Sequence, residues 1–141
     1  AVADFARELG CAMAQLHAAE LHCLHSLEFP ELNYALPARI SADRSAQYRA
    51  NATEHIAAQL SKYQFAKSPQ VHIVTDAPDF AVLEYVQQHD IELAVMGTVA
   101  RTGISGLITG NTAEKLLPQM SCSVLAVKPA EFVSPVSIDL K

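Results

Sequence analysis

Residues 91–128 read IELAVMGTVARTGISGLITGNTAEKLLPQMSCSVLAVK, and this stretch decides the fold. An apolar run over residues 93–96 ends at Gly97, and a loop rich in glycine and hydroxyl residues follows. A helix start is visible at residues 110–114, and a second apolar run over residues 124–127 closes the unit. The order strand, loop, helix and strand predicts a βαβ unit with two parallel strands.

The loop of this unit is the first place to look for function. Connections from a strand to a helix usually take about 2–6 residues, and this one is longer. A long, glycine-bearing loop before a helix N-terminus is where α/β folds bind anions, because backbone N–H groups can point at phosphate oxygens. The candidate phosphate- or nucleotide-binding residues are Gly97, Thr98, Arg101, Gly110, Asn111 and Thr112.

The same residues also have a purely structural interpretation. Asn111 and Glu114 have the spacing of a capping box, so Asn111 is equally suited to capping its own helix. Gly103 and Gly106 are equally suited to turns. From the residues alone, both interpretations of the loop stay open.

The rest of the chain alternates helices and strands. Periodicity predicts a helix over residues 2–17 with a core face of Val2, Phe5, Ala6, Leu9, Met13 and Leu16. It then predicts a strand within 21–27, a loop over 29–43, a helix over 45–65 and a strand over 71–74. The next helix opens at 76–79, with a core face of Phe80, Leu83 and Val86. Such alternation predicts the α/β class: an open parallel sheet with helices on both faces. We expect one domain over residues 1–129, followed by a tail, 130–141, whose alternating apolar residues suit a short extra strand.

Composition excludes several classes of function. The net charge of -5 and the pI near 5.6 argue against nucleic-acid or anionic-membrane binding, which need a basic face. The sequence contains no apolar run of about 18 residues, so it predicts no membrane-spanning helix. The three cysteines are odd in number and scattered, so they predict no disulfide framework and fit a reducing, cytoplasmic setting.

The glycine spacing carries a resemblance to a known family. The string MGTVARTGISG (96–106) followed by GNTAE (110–114) resembles the phosphate loop of the universal stress protein family, G-x2-G-x9-G-[S/T]. Gly97 and Gly110 stand at the first and third glycine positions, whereas Ala100 and Asn111 replace the second glycine and the Ser/Thr. SCSVLAVK (121–128) matches the family's closing strand and ELHCLH (20–25) its second strand. The chain looks most like the tandem-type branch called universal stress protein E.

The resemblance implies a fold and a ligand. The fold would be universal stress protein-like, related to the adenine nucleotide alpha hydrolases, with sheet order 3-2-1-4-5. The family's first, central strand ends in an Asp that contacts ribose in ATP-binding members, and it has no counterpart in this sequence. The implied function is a non-enzymatic stress-response domain that binds ATP (with Mg) or another phosphorylated small ligand over residues 97–112.

Association and catalysis have their own expectations. The resemblance implies a homodimer or pseudo-dimer through the last strand, which runs from Cys122 to Val127. The alternative function is therefore a non-nucleotide-binding dimerisation or interaction module of a tandem stress protein. No serine has a neighbouring base in sequence, so we expect no catalytic residues and a weak ATPase at most. The six histidines form no ligand set, and we expect no metal site.

Overall fold

Helices and parallel strands alternate along the chain, which confirms the predicted α/β class. The computed structural model describes residues 2–27, 42–98, 111–128 and 132. Its elements, in chain order, are α1 (Val2–His17), β1 (His22–Ser26), α2 (Ala42–Leu60), β2 (Gln70–Val74), α3 (Pro78–Gln88), β3 (Leu93–Gly97), α4 (Asn111–Leu116), a 3₁₀ turn (Leu117–Gln119) and β4 (Ser123–Val127).

The described strands form two parallel pairs. In one pair β1 lies beside β2, with His22 opposite Gln70 and Ser26 opposite Val74. In the other pair β3 lies beside β4, with Leu93 opposite Ser123. Within the described residues each pair is a separate two-stranded sheet.

The chain folds as two compact units. Residues 11–81 form one unit, which contains β1, α2 and β2. Residues 1–10 and 82–141 form the other, which contains β3, α4 and β4. Ile56 of α2 is the largest fully buried side chain of the first unit, and Leu116 of α4 is that of the second.

Each strand pair is entered through the same kind of turn. After α1, Ala18 has a φ of 51°, and the N–H of Ala19 donates to the carbonyl of Ala14. After α3, Asp90 has a φ of 48°, and the N–H of Ile91 donates to the carbonyl of Val86. A left-handed residue followed by this 6→1 bond is the Schellman ending of a helix, although glycine usually takes the left-handed position. Both helices therefore end sharply and lead into a strand.

The buried faces of two helices differ from those predicted. Phe5 and Leu16, expected in the core, are 50% and 79% exposed. Ala6, which was predicted to face the core, is buried, and so are the small residues Cys11 and Ala14, which were not. Phe80, expected to face the core from α3, is 61% exposed, whereas Val86 is buried as predicted and Ala81, next to Phe80 in sequence, is also buried. The helices were predicted correctly, but apolar residues on more than one side of each left the buried stripe undecided.

Helix α2 also has different ends. It begins at Ala42 rather than Ser45 and ends at Leu60 rather than Phe65. The N–H of Lys62 donates to the carbonyl of Gln59, and this three-residue spacing tightens the chain and terminates the helix. The predicted long loop lies mostly outside the described residues, over 28–41. So does the predicted tail strand, since only Phe132 of residues 129–141 is described.

Candidate functional site

The carboxyl end of β3 is the start of the predicted phosphate loop. Gly97 is the last residue of β3 and lies opposite Val127 of β4. A Cβ atom added to Gly97 would lie 2.9 Å from Cγ1 and 3.1 Å from Cγ2 of Val2. The first turn of α1 thus fills the space beside this glycine. Sequence reasoning missed Val2, because a contact across 95 positions leaves no local pattern.

Thr98 is buried at the same end of the sheet. Its backbone N–H donates to the carbonyl of Val127 over 3.1 Å, and its hydroxyl donates to that carbonyl over 3.4 Å. The residue is 3% exposed. The hydroxyl predicted as a ligand donor therefore has a protein acceptor, which ties the ends of β3 and β4 together.

The helix after the loop is short. Asn111 and Thr112 form the start of α4, which has only six residues and continues into the 3₁₀ turn at Leu117. The N–H groups of a first helical turn have no acceptor within the helix, so they can bind an anion. Such a short helix has a smaller dipole than a long one. Arg101 and Gly110, the other two candidates, lie outside the described residues.

At the carboxyl end of the β1–β2 pair, the corresponding hydrogen bond comes from an exposed side chain, whereas Thr98 is buried. Ser26 Oγ donates to the carbonyl of Asp76 over 2.7 Å at an exposed position. The N–H of Leu27 donates to the carbonyl of Val74, extending the ladder by one bond. Asp79 Oδ1 accepts from the N–H of Phe80 over 3.1 Å, as expected for an acidic residue in the first turn of α3.

The amino end of the β1–β2 pair carries a charged cluster. Glu20 accepts hydrogen bonds from Lys67 Nζ at 3.2 Å and from Gln70 Nε2 at 2.6 Å. His22 Nε2 lies 3.3 Å from the same carboxylate. The hydrogen bond from Lys67 and the charge of Lys67 lower the pKa of the Glu20 carboxyl from its usual value. This cluster links the segments that lead into β1 and β2.

An open concavity of about 670 Å³ lies at the amino ends of β3 and β4. Asp90, Glu92 and Cys122 are among its lining residues. Cys122, predicted to begin the last strand, is half-buried and precedes β4, which starts at Ser123. This concavity is at the opposite end of the strands from Gly97 and Thr98.

Within the described part of the chain, no group of three or more His, Cys, Asp or Glu side chains is arranged to hold a metal ion. Among the same residues no helix has the length and apolar character that crossing a bilayer requires.

Comparisons with known proteins identify relatives of the chain. A profile described as the Universal stress protein family matches residues 1–128. Universal stress protein E from Salmonella typhi is 28% identical over 127 residues, which are 89% of this chain and 40% of that protein. The chain therefore spans less than half the length of this curated relative.

Solved structures share the fold. A functionally unknown protein, PA1789 from Pseudomonas aeruginosa PAO1, is 30% identical, with a TM-score of 0.62 over 84% of this chain and 37% of its own. A universal stress protein solved in complex with cAMP is 20% identical, with a TM-score of 0.59 over 90% of this chain and 87% of its own. At that identity the second likeness shows the fold alone.

Proposed function

The chain belongs to the universal stress protein family, and we propose that it is a stress-response domain that binds a phosphorylated nucleotide at residues 97–112 without appreciable turnover. The observation that carries the proposal is the position of Gly97 and Thr98 at the carboxyl end of β3. Parallel α/β sheets bind ligands at this edge. The loop between β3 and α4 begins there, with Gly110 at the family spacing.

Charge supports an anionic ligand at this loop. Arg101 is the one cation of residues 97–112, and a guanidinium can bind a phosphate through two hydrogen bonds. The N–H groups of Asn111 and Thr112 add donors at the start of α4. A family member of the same fold was solved with cAMP, so an adenine nucleotide is the ligand to test first.

The proposal is tested by calorimetric titration of the full chain with ATP, ADP, AMP and cAMP, each with and without Mg²⁺. We expect saturable binding, and we expect Arg101→Ala to weaken it about tenfold or more, since losing a charged hydrogen bond costs roughly 1.5–3 kcal/mol. Arg44→Ala, a change of the same kind in α2, is the matched control and should bind as the wild type does. Absence of heat at millimolar nucleotide would sink the proposal, and a parallel phosphate-release assay with ATP tests for turnover.

A second candidate function is a non-nucleotide interaction module. It is favoured because Ala100 and Asn111 replace the second glycine and the Ser/Thr of the family's phosphate loop. The N–H of Ser123 donates to Glu92, so residues 123, 125 and 127 bond towards β3 and Val124 and Ala126 direct their backbone groups to the outer edge. A second copy, or the other half of a tandem protein, could pair along this edge.

This interaction is tested by the oligomeric state in light scattering. Val124→Pro removes one outward donor without breaking a bond to β3, because proline lacks an N–H. We expect a dimer for the wild type and for Val124→Thr, and a folded monomer, with the wild-type far-ultraviolet circular dichroism spectrum, for Val124→Pro. A monomeric wild type, or a Val124→Pro variant that remains dimeric, contradicts pairing through β4.

A further inference from the structure

The backbone conformation of Gly97 does not require a glycine at this position. Gly97 lies within β3, its φ is outside the left-handed region, and an ordinary residue could adopt its conformation. The constraint is space. A Cβ atom there would meet three atoms of one side chain, with Val2 Cγ1 at 2.9 Å, Cγ2 at 3.1 Å and Cβ at 3.5 Å.

The side chain of Val2 has little freedom to move away. The two methyl carbons of Val2 lie at 2.9 and 3.1 Å from the added atom, so two of the three staggered positions on its Cβ face Gly97. Rotation about χ1 to another staggered well therefore keeps at least one methyl group in that space. Contacts below 3.0 Å between such carbon atoms are repulsive, so an added methyl group at residue 97 forces either α1 or the end of β3 to shift. The two residues are therefore matched in size.

We infer that Val2 is a positioning residue of the proposed phosphate site, acting through Gly97 rather than on the ligand. Its isopropyl group packs against Gly97 and fixes the direction in which the chain leaves β3. The neighbouring Thr98 is held by its two bonds to the Val127 carbonyl. Both residues at the start of the loop are thus fixed by protein groups, and neither needs to contact ligand. The positioning role in ligand binding rests on the proposed function. The size match between Val2 and Gly97 is independent of it.

The size match is tested by a double-mutant cycle in thermal unfolding of the full chain. The variants are Val2→Ala, Gly97→Ala and the double variant Val2→Ala/Gly97→Ala. We expect Gly97→Ala alone to lower the melting temperature by roughly 5 °C, the usual consequence of overpacking. In the Val2→Ala background the same substitution should cost much less. Phe5→Ala, half-exposed on the same helix, is the control and should leave the cost of Gly97→Ala unchanged.

The positioning role is tested by titrating the same variants with ATP. Gly97→Ala should weaken binding about fivefold or more, and the double variant should return to within about twofold of the wild type. A purely structural role predicts changed melting temperatures with unchanged affinities. Direct ligand contact by Gly97 predicts weak binding that Val2→Ala does not restore. Either result overturns the inference.

The two proposals fail in different ways. If the wild type binds no nucleotide, the proposed function and the positioning role fall together, and the melting cycle still decides why residue 97 is glycine. If the wild type binds but the two substitutions are additive in melting temperature, the proposed function stands and the inference about Val2 is wrong.

Discussion

The two strand pairs share their topology but are stabilised by different kinds of contact. Each is entered through a helix that ends in a left-handed residue, Ala18 or Asp90, and each has a five-residue parallel register. The β1–β2 pair is then tied by exposed polar side chains, including Ser26 and the Glu20 cluster. The β3–β4 pair is tied by the buried Thr98, and Val2 packs against the neighbouring Gly97.

The difference predicts how each pair responds to change. Exposed hydrogen bonds and ion pairs contribute little, because water competes for the same groups and salt screens the charges. Buried groups contribute more, since neither water nor a neighbouring side chain replaces what is removed. Substitutions around β3–β4 should therefore lower the free energy of unfolding more than substitutions around β1–β2. The contribution of β1–β2 to stability should depend more on pH. The candidate ligand site begins at the β3–β4 pair, which is the pair stabilised by buried residues.

The largest effect is expected at Leu116, which is fully buried at the end of α4. Leu116→Ala should lower the free energy of unfolding by about 3 kcal/mol, because it removes buried methyl groups and leaves a cavity. Its neighbour Leu117 is 40% exposed, so Leu117→Ala is a matched control with a much smaller cost. Urea unfolding of both variants measures the difference. Equal losses would show that burial does not set the cost here.

The two hydroxyl ties give the most direct contrast between the pairs. Thr98→Val keeps the shape of a buried side chain and removes its hydroxyl, and it should cost about 1 kcal/mol. Ser26→Ala removes the exposed hydroxyl that donates to Asp76 and should cost about 0.5 kcal/mol or less. Thr98→Ser, which retains the hydroxyl, separates the hydrogen bond from the methyl contact. If Ser26→Ala proves the more damaging, the contrast is wrong.

The shared turns provide a stabilising prediction. Ala18 occupies a left-handed position that costs an alanine roughly 1 kcal/mol, so Ala18→Gly should raise the free energy of unfolding by about 0.5–1 kcal/mol. Asp90→Gly should gain less, because aspartate tolerates this conformation better than alanine does. Urea midpoints compare the two variants. A lower free energy of unfolding in Ala18→Gly would contradict the claim that the left-handed conformation of Ala18 costs stability.

The smallest effect is expected at Glu20, and it depends on pH. Its folded-state pKa is lowered, mainly by the hydrogen bond from Lys67, so the carboxylate stabilises the fold above the unfolded-state pKa. That contribution is lost as the pH falls through the lowered pKa. The difference in urea midpoint between wild type and Glu20→Gln should therefore be small at pH 7 and vanish in acid. Glu84→Gln on α3 is the control, and a difference that grows in acid has the wrong sign.

Sequence patterns located the elements better than their contacts. The alternation of apolar runs predicted each described helix and strand, because these periods are local. The same periods misassigned Phe5, Leu16 and Phe80, since burial depends on which neighbours a helix meets. The Thr98 hydroxyl was predicted as a ligand donor, yet its acceptor lies 29 residues away. Glycine spacing could point to Gly97 but not to Val2, for only the fold brings the two together.

The most direct test of nucleotide binding at residues 97–112 is an NMR titration with ATP of protein labelled with ¹⁵N-glycine. The chain has five glycines, so the spectrum is simple, and Gly10 in α1 serves as an internal reference. The account predicts that the Gly110 amide shifts with saturation while the Gly10 amide does not. Amides that do not move at millimolar ATP, or shifts confined to Gly10, would contradict a nucleotide site at this loop.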